Sequence, residues 1–218
     1  MSLPSAVSNH RYSPRLARTA LIAVAAIGSL LVPSHTAVAQ TAAEQPRTWE
    51  LRVASGELVP TGTLRNSLRD AQVTAVQVSY AIRPSLAVTG TFGWARSRDI
   101  ASVDSPKLDV FTSDIGIEGR AGQWFANHAV TFAPFAGIGA GARSYNYRSL
   151  DVNATHNVAG YGTVGGELGV GRVGLRLEVR DYTSGFKPLA EVGRASVGND
   201  VVIMAALRFN QQRPALNK

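Results

Sequence analysis

Hydrophobic and polar side chains alternate with a period of two along most of the chain after residue 48. Val76, Val78, Tyr80 and Ile82, for example, share one face of a segment whose other face is mostly polar. Successive side chains of a β-strand point to opposite sides, so this period predicts strands rather than helices. We predict an all-β chain of eight strands, at about 48–58, 71–83, 86–98, 108–121, 129–147, 157–170, 173–184 and 200–210.

The predicted connections alternate between short and long. Tight hairpins are expected at Pro84-Ser85 and Gly171-Arg172, and a somewhat longer turn at 122–128. The remaining four connections are long and polar, near 59–70, 99–107, 148–156 and 185–199. An up-and-down barrel collects the long connections at one rim and the short ones at the other, which is the pattern of outer-membrane barrels. The fold class predicted is therefore an eight-stranded antiparallel up-and-down transmembrane β-barrel.

The alternation does not by itself decide which face points outward, because a soluble lipocalin-like barrel has the same period with its apolar side chains inside. The apolar face of this chain carries large branched and aromatic residues, whereas the polar face carries small residues and mixed charges that suit a narrow lumen. These features, together with the connection lengths, favour a barrel with its apolar face toward lipid. Its sheet must then be closed, since an open edge in lipid leaves backbone groups unpaired.

An eight-stranded barrel encloses a space that side chains just fill. The polar face places eleven charged residues in that space, and buried charges persist only when they are paired. We therefore predict a structural ion-pair network across the lumen that also blocks ion leakage. Its members are Glu50, Arg52, Asp114, Glu118, Arg120, Arg143, Glu167, Arg176, Glu178, Arg180 and Arg208.

Glycines recur on the same inward face of two strands. They are Gly137, Gly139 and Gly141 on the fifth predicted strand, and Gly165 and Gly169 on the sixth. We expect them to make room for long charged side chains or to allow curvature. A phosphate-binding loop is not supported, since no Lys-Ser/Thr pair follows and no helix begins there.

The first 39 residues have a different character from the rest. Arg11, Arg15 and Arg18 precede an apolar run, and Ala37-Val38-Ala39 ends the segment, as in a secretory signal peptide. We predict a signal peptide at 1–39, a barrel domain at 40–210 and a short polar tail at 211–218. Cleavage removes three arginines and lowers the net charge from +7 to +4. No basic run remains to indicate nucleic-acid binding, and the chain has no cysteine.

Candidate chemistry is sparse. After cleavage only His128 and His156 remain, and the predicted topology places them at opposite rims. Ser144 and Ser149 lie near His156 in sequence, but the His-x-Ser pair of the outer-membrane lipid A deacylases is missing. Inward acids interleaved with arginines favour ion pairing over a glycosidase pair. We expect no enzyme activity, no cofactor and no metal site.

Two runs near the C-terminus, LRLEVRDY at 175–182 and VVIMAALRF at 201–209, resemble the small outer-membrane barrel families related to the OmpA barrel and OmpX. The resemblance implies a monomer in the porin-like class of Gram-negative outer-membrane proteins. It also implies that the barrel-assembly machinery recognises the closing strand through its final aromatic residue, here Phe209. Residues 210–218 follow that residue, which departs from the strictly C-terminal phenylalanine of such families.

These observations predict a non-enzymatic protein embedded in outer-membrane lipid, with a structural role or a role in displaying surface loops for adhesion and interaction. Two alternatives remain open. A soluble periplasmic barrel would bind an apolar ligand, whereas an outer-membrane lipid-modifying enzyme would lose turnover in His156→Ala.

Overall fold

The computed structural model describes residues 49–122, 125–126, 130–148, 150–170, 173–190 and 195–209. The predicted signal peptide, His128 and the polar tail lie outside the described residues. The strands are β1 Trp49–Thr61, β2 Ala71–Arg83, β3 Leu86–Arg98, β4 Lys107–Arg120, β5 Phe125–Ala126, β6 Val130–Tyr147, β7 Thr155–Val170, β8 Val173–Phe186 and β9 Ser196–Phe209.

Eight long strands form one closed antiparallel sheet. Strands adjacent in sequence pair with each other, β4 pairs with β6, and β1 pairs with β9 to close the barrel. The two-residue β5 adds to the start of β6, through the Phe125↔Phe132 pair, in the segment predicted as a longer turn. The predicted eight-stranded all-β barrel is confirmed.

One short 3-10 helix, Leu64–Asn66, lies between β1 and β2. No helix among the described residues has the length and apolar character needed to cross a membrane.

The barrel has two unlike ends. One end, here called the turn rim, carries the start of β1, the end of β9 and the short connections at 84–85 and 171–172. The other end, the loop rim, carries the long connections at 62–70, 99–106, 148–154 and 187–195. Segregation of short and long connections is a feature of outer-membrane barrels.

Over the middle and the turn-rim half of the barrel, large apolar side chains point outward and charged side chains point inward. Outward-facing Leu51, Ile115 and Ile138 are 65%, 63% and 73% exposed. Inward-facing Arg52 and Arg180 are each 1% exposed. A soluble barrel with an apolar interior requires the opposite orientation.

The inward glycines make space for aromatic rings. A Cβ at Gly139 would lie 2.4 Å from the ring of Tyr161, and one at Gly116 would lie 2.2 Å from the hydroxyl of the same residue. A Cβ at Gly165 would lie 2.3 Å from the ring of Phe135. The sequence pattern predicts that these glycines make room for Arg and Glu side chains. At Gly139 and Gly165 the space is taken instead by an aromatic ring, and the guanidinium group of an arginine lies on that ring.

An apolar cluster fills the loop-rim half of the lumen. Leu58, Val110, Phe186 and Met204 from four strands pack there with Leu68 from the 62–70 connection, and all are buried. Four tyrosines also point inward and are buried: Tyr145, Tyr147, Tyr161 and Tyr182. The outward aromatics include Trp49, which is 71% exposed and packs against Tyr80.

Candidate functional site

Nine of the eleven predicted lumen residues form one continuous set of ion pairs. Each reaches the interior because it lies at an inward position of its strand, and the strands β1, β4, β7 and β8 supply all nine. Four arginines and five carboxylates alternate through the set, so the charge of the described members nearly balances. The members are Glu50, Arg52, Asp114, Glu118, Arg120, Glu167, Arg176, Glu178 and Arg180.

Arg176 lies at the centre of this network. Its guanidinium donates to Glu118, to Glu167 at 3.3 Å and to Glu178 at 2.8 Å. The same group lies over the ring of Phe135, 3.5 Å from the ring centroid. The ring of Phe135 in turn lies on Gly165, which belongs to the barrel wall. Gly165, the Phe135 ring and the Arg176 guanidinium are therefore stacked in that order from the wall toward the middle of the lumen.

Arg180 repeats this arrangement closer to the loop rim. It donates to Glu178 and, at 3.0 Å, to Asp114. Its guanidinium lies 4.7 Å from the ring centroid of Tyr161, which covers Gly139. The hydroxyl of Tyr182 also donates to Asp114, at 2.7 Å. Asp114 therefore accepts three hydrogen bonds from these two donor groups, which largely satisfies its buried carboxylate.

The network becomes more exposed toward the turn rim. Arg52 donates to Glu50 and, at 3.0 Å, to Glu167, whereas Arg120 donates to Glu118 at 2.8 Å. The side chains of Glu50, Glu167 and Arg120 are 15–18% exposed, against 1% for Arg176. The turn-rim ion pairs are therefore partly exposed, while the pairs of Arg176 and Arg180 with Asp114, Glu118 and Glu178 are buried.

Arg143 does not join this set and pairs instead with Asp200 on β9. Both side chains are fully buried, and the guanidinium lies 4.3 Å from the ring centroid of Tyr182. Nε and Nη2 of Arg143 have no hydrogen-bond partner among the described residues, and a cavity of about 20 Å³ lies beside them. Sequence reasoning missed Asp200, although it shares the inward parity of Met204 and Arg208.

The side chain of Arg208 lies outside the described residues. Its backbone places it opposite Arg52 on β1 and opposite Gly174 on β8. Several uncharged inward residues also join the network without having been predicted, including Gln77, which donates to Glu178 at 3.1 Å.

Another buried carboxylate, Asp99, ties the connections of the loop rim together. It is 0% exposed and accepts hydrogen bonds from the Tyr147 hydroxyl at 2.7 Å and from the Leu189 amide at 2.9 Å. The Ser102 hydroxyl donates to it as well, at 2.6 Å, and accepts from the Ala190 amide. Asp99 and Ser102 thus join the 99–106 connection to residues 189–190.

Among the residues that the structure describes, one pair with possible catalytic chemistry comes together. Ser144 Oγ lies 2.6 Å from His156 Nδ1 on the outer face, where β6 and β7 pair. No carboxylate of the described residues is hydrogen-bonded to His156, so the third member of a serine triad is not provided there. Within the same residues, no group of three or more His, Cys, Asp or Glu side chains could hold a metal ion.

Comparison with known proteins finds solved structures of similar fold but no protein of similar sequence. No protein-family model matches the chain, and no curated protein matches it. Neisserial surface protein A has a similar structure, at 11% identity and a TM-score of 0.52, over 74% of this chain and 96% of that one.

Two further solved structures are similar at a lower score. The attachment invasion locus protein Ail of Yersinia pestis matches at 12% identity and a TM-score of 0.37, over 74% of this chain and 97% of Ail. The N-terminal β-barrel domain of Pseudomonas aeruginosa OprF matches at 10% identity and a TM-score of 0.37, over 73% of this chain and 96% of that domain. The chain has an eight-stranded antiparallel barrel fold, similar to that of Neisserial surface protein A.

Proposed function

We propose that this chain is an integral protein of the bacterial outer membrane, without enzymatic activity, that holds four long connections at the cell surface. Its role would be structural, or would consist in presenting those connections to surface partners in adhesion or interaction. Export by the predicted signal peptide and insertion by the barrel-assembly machinery, through β9 ending at Phe209, are parts of the same proposal. The protein would act as a monomer, since its sheet closes on itself.

The observation that carries the proposal is the orientation of the barrel wall. Large apolar side chains such as Leu51 and Ile138 are exposed outside, while arginines and carboxylates are paired inside. Apolar surface of this extent is costly in water and favourable in lipid. The soluble alternative would require these same side chains to line an interior cavity.

A filled lumen supports a structural rather than a transport role. The ion-pair network occupies the turn-rim half, the apolar cluster occupies the loop-rim half, and Asp99 joins two connections above them. The lipid-modifying alternative rests on the Ser144–His156 contact, which lacks a carboxylate among the described residues. We therefore favour the non-enzymatic role.

Electrophoresis in SDS with and without boiling tests this proposal. We expect the protein in the outer-membrane fraction, with a faster unboiled band and a slower boiled band, because a closed barrel resists SDS until heated. Protein purified from inclusion bodies in urea, loaded unboiled, is the control and should run as the slow form. Recovery in the soluble periplasmic fraction with no heat-dependent shift would contradict the proposal.

A further inference from the structure

A row of basic residues crosses the loop rim on the outside of the barrel. Arg98 on β3 lies directly opposite Lys107 on β4. The Arg69 amide donates to the Arg98 carbonyl at 3.1 Å, and the Arg148 amide donates to the Lys107 carbonyl at 3.0 Å. Because hydrogen-bonded neighbours in a sheet lie about 5 Å apart, four cations stand side by side over roughly 15 Å. We call these four residues the basic row.

The basic row borders a groove of about 310 Å³. Its lining consists of the four cations together with Arg96, Ser97 and Asp70. Asp109 lies beside it and is bound by Arg148 through two hydrogen bonds. Five cations thus face two carboxylates, so the groove has a net positive charge.

Two of the cations are held in place by neighbouring side chains, and Arg98 donates to the Ser105 carbonyl at 3.3 Å. Asp109 accepts from Arg148 and, at 3.0 Å, from the indole of Trp94. Arg96 lies over that indole, 4.3 Å from the ring centroid. The other cations of the groove, Arg69, Arg98 and Lys107, form no ion pair with a carboxylate in the part of the chain that the structure describes. Their charge is therefore available to an anion from outside.

The position of the basic row favours a lipid headgroup as that anion. Below it on β3 and β4 the outward face carries Trp94, then Phe92 and Ile115, which are exposed. Tryptophan marks the boundary between hydrocarbon and headgroups in membrane barrels, and long loops mark the external side. The basic row consequently lies at the height of the headgroups of the external leaflet. A soluble polyanion would not require the apolar surface beneath.

We propose that the basic row and its groove bind the phosphate groups of the lipid A headgroup of lipopolysaccharide. This inference rests on the proposed outer-membrane location. Guanidinium groups donate two parallel hydrogen bonds to phosphate, and Lys107 adds a point charge. The groove would thereby fix the height of the barrel in the external leaflet and seat one lipid beside β3 and β4.

Binding of deep-rough lipopolysaccharide to the full-length mature protein, refolded in detergent, tests the inference. Each cation near an anionic membrane surface is worth about a factor of five in affinity, so R98Q/K107Q should weaken binding about 25-fold. The matched control is R83Q/K187Q, which removes one arginine at the turn rim and one lysine at the loop rim outside the groove, and it should weaken binding by no more than about fivefold. Lipopolysaccharide stripped of its phosphates should bind wild type as weakly as intact lipopolysaccharide binds R98Q/K107Q.

Three results would overturn the inference: equal binding by R98Q/K107Q and wild type, equal weakening in both double variants, or undiminished binding of the stripped lipid. Preferential binding of a soluble sulfated glycan, lost in R98Q/K107Q, would also overturn it by assigning the groove to a glycan. The heat-dependent shift in SDS is measured on the same proteins. If wild type shows the heat-dependent shift, any of these results rejects lipid A binding by the groove and leaves the proposed outer-membrane location intact. If wild type shows no shift, the proposed function itself is contradicted.

Discussion

Replacing Arg176 by alanine is expected to lower the free energy of unfolding of the barrel by about 3–5 kcal/mol. The substitution leaves Glu118, Glu167 and Glu178 without the guanidinium that joins them, and Glu118 and Glu178 are only 3% and 2% exposed. It also removes the group that covers the ring of Phe135. Urea titration in phospholipid vesicles, followed by tryptophan fluorescence, measures the change.

Two further substitutions separate the role of the network from the loss of any arginine. Arg83→Ala, on an exposed residue at the turn rim, should change the free energy of unfolding by less than about 0.5 kcal/mol. Arg176→Lys keeps the charge but loses the planar fork, so its stability should fall between wild type and Arg176→Ala. Equal stability of Arg176→Ala and Arg83→Ala would show that the network contributes nothing to folding.

Asp200→Ala is expected to have an effect of similar size, about 3–5 kcal/mol, because it leaves the fully buried guanidinium of Arg143 without a counter-charge. Removing both charges in R143M/D200A should cost less than Asp200→Ala alone, since no unpaired charge then remains in the lumen. With R143M alone as the fourth protein, the four free energies of unfolding form a double-mutant cycle, and its coupling energy measures the interaction between Arg143 and Asp200. The same urea titration applies.

The control for Asp200 is Asp109, which forms an ion pair with the partly exposed Arg148 outside the barrel. Asp109→Ala should cost about 1 kcal/mol or less, because solvent screens that pair. If the two aspartate variants are destabilised alike, burial does not set the strength of the Arg143–Asp200 pair.

The alternation of the sequence was enough to predict the strands and the inward set, because parity assigns every residue of a strand to one face. The same rule could have included Asp200, which was missed because the closing strand was taken to begin there and its first residue was not assigned to a face. Parity does not say which inward residues meet across the lumen. That depends on the stagger of the closed sheet, which brings Arg180 of β8 to Asp114 of β4, 66 positions apart in the chain.

The alternation could not predict the stacking of a guanidinium group on an aromatic ring and of that ring on a glycine. Gly139 is covered by Tyr161 because the two are cross-strand neighbours, and that register is a property of the assembled barrel. The role of Asp99 was hidden for a different reason. It lies in a connection, where no period exists to indicate whether a side chain is buried.

The central claim is that the apolar face of the barrel contacts lipid, and site-directed spin labelling measures this most directly. The chain has no cysteine, so Ile115→Cys, Ile138→Cys and the inward Thr112→Cys each provide one labelling site in the protein reconstituted in vesicles. We predict that labels at 115 and 138 collide readily with oxygen dissolved in the bilayer and little with a water-soluble nickel chelate, while the label at 112 is shielded from both. Labels at 115 and 138 that collide with the nickel chelate rather than with oxygen would contradict the account.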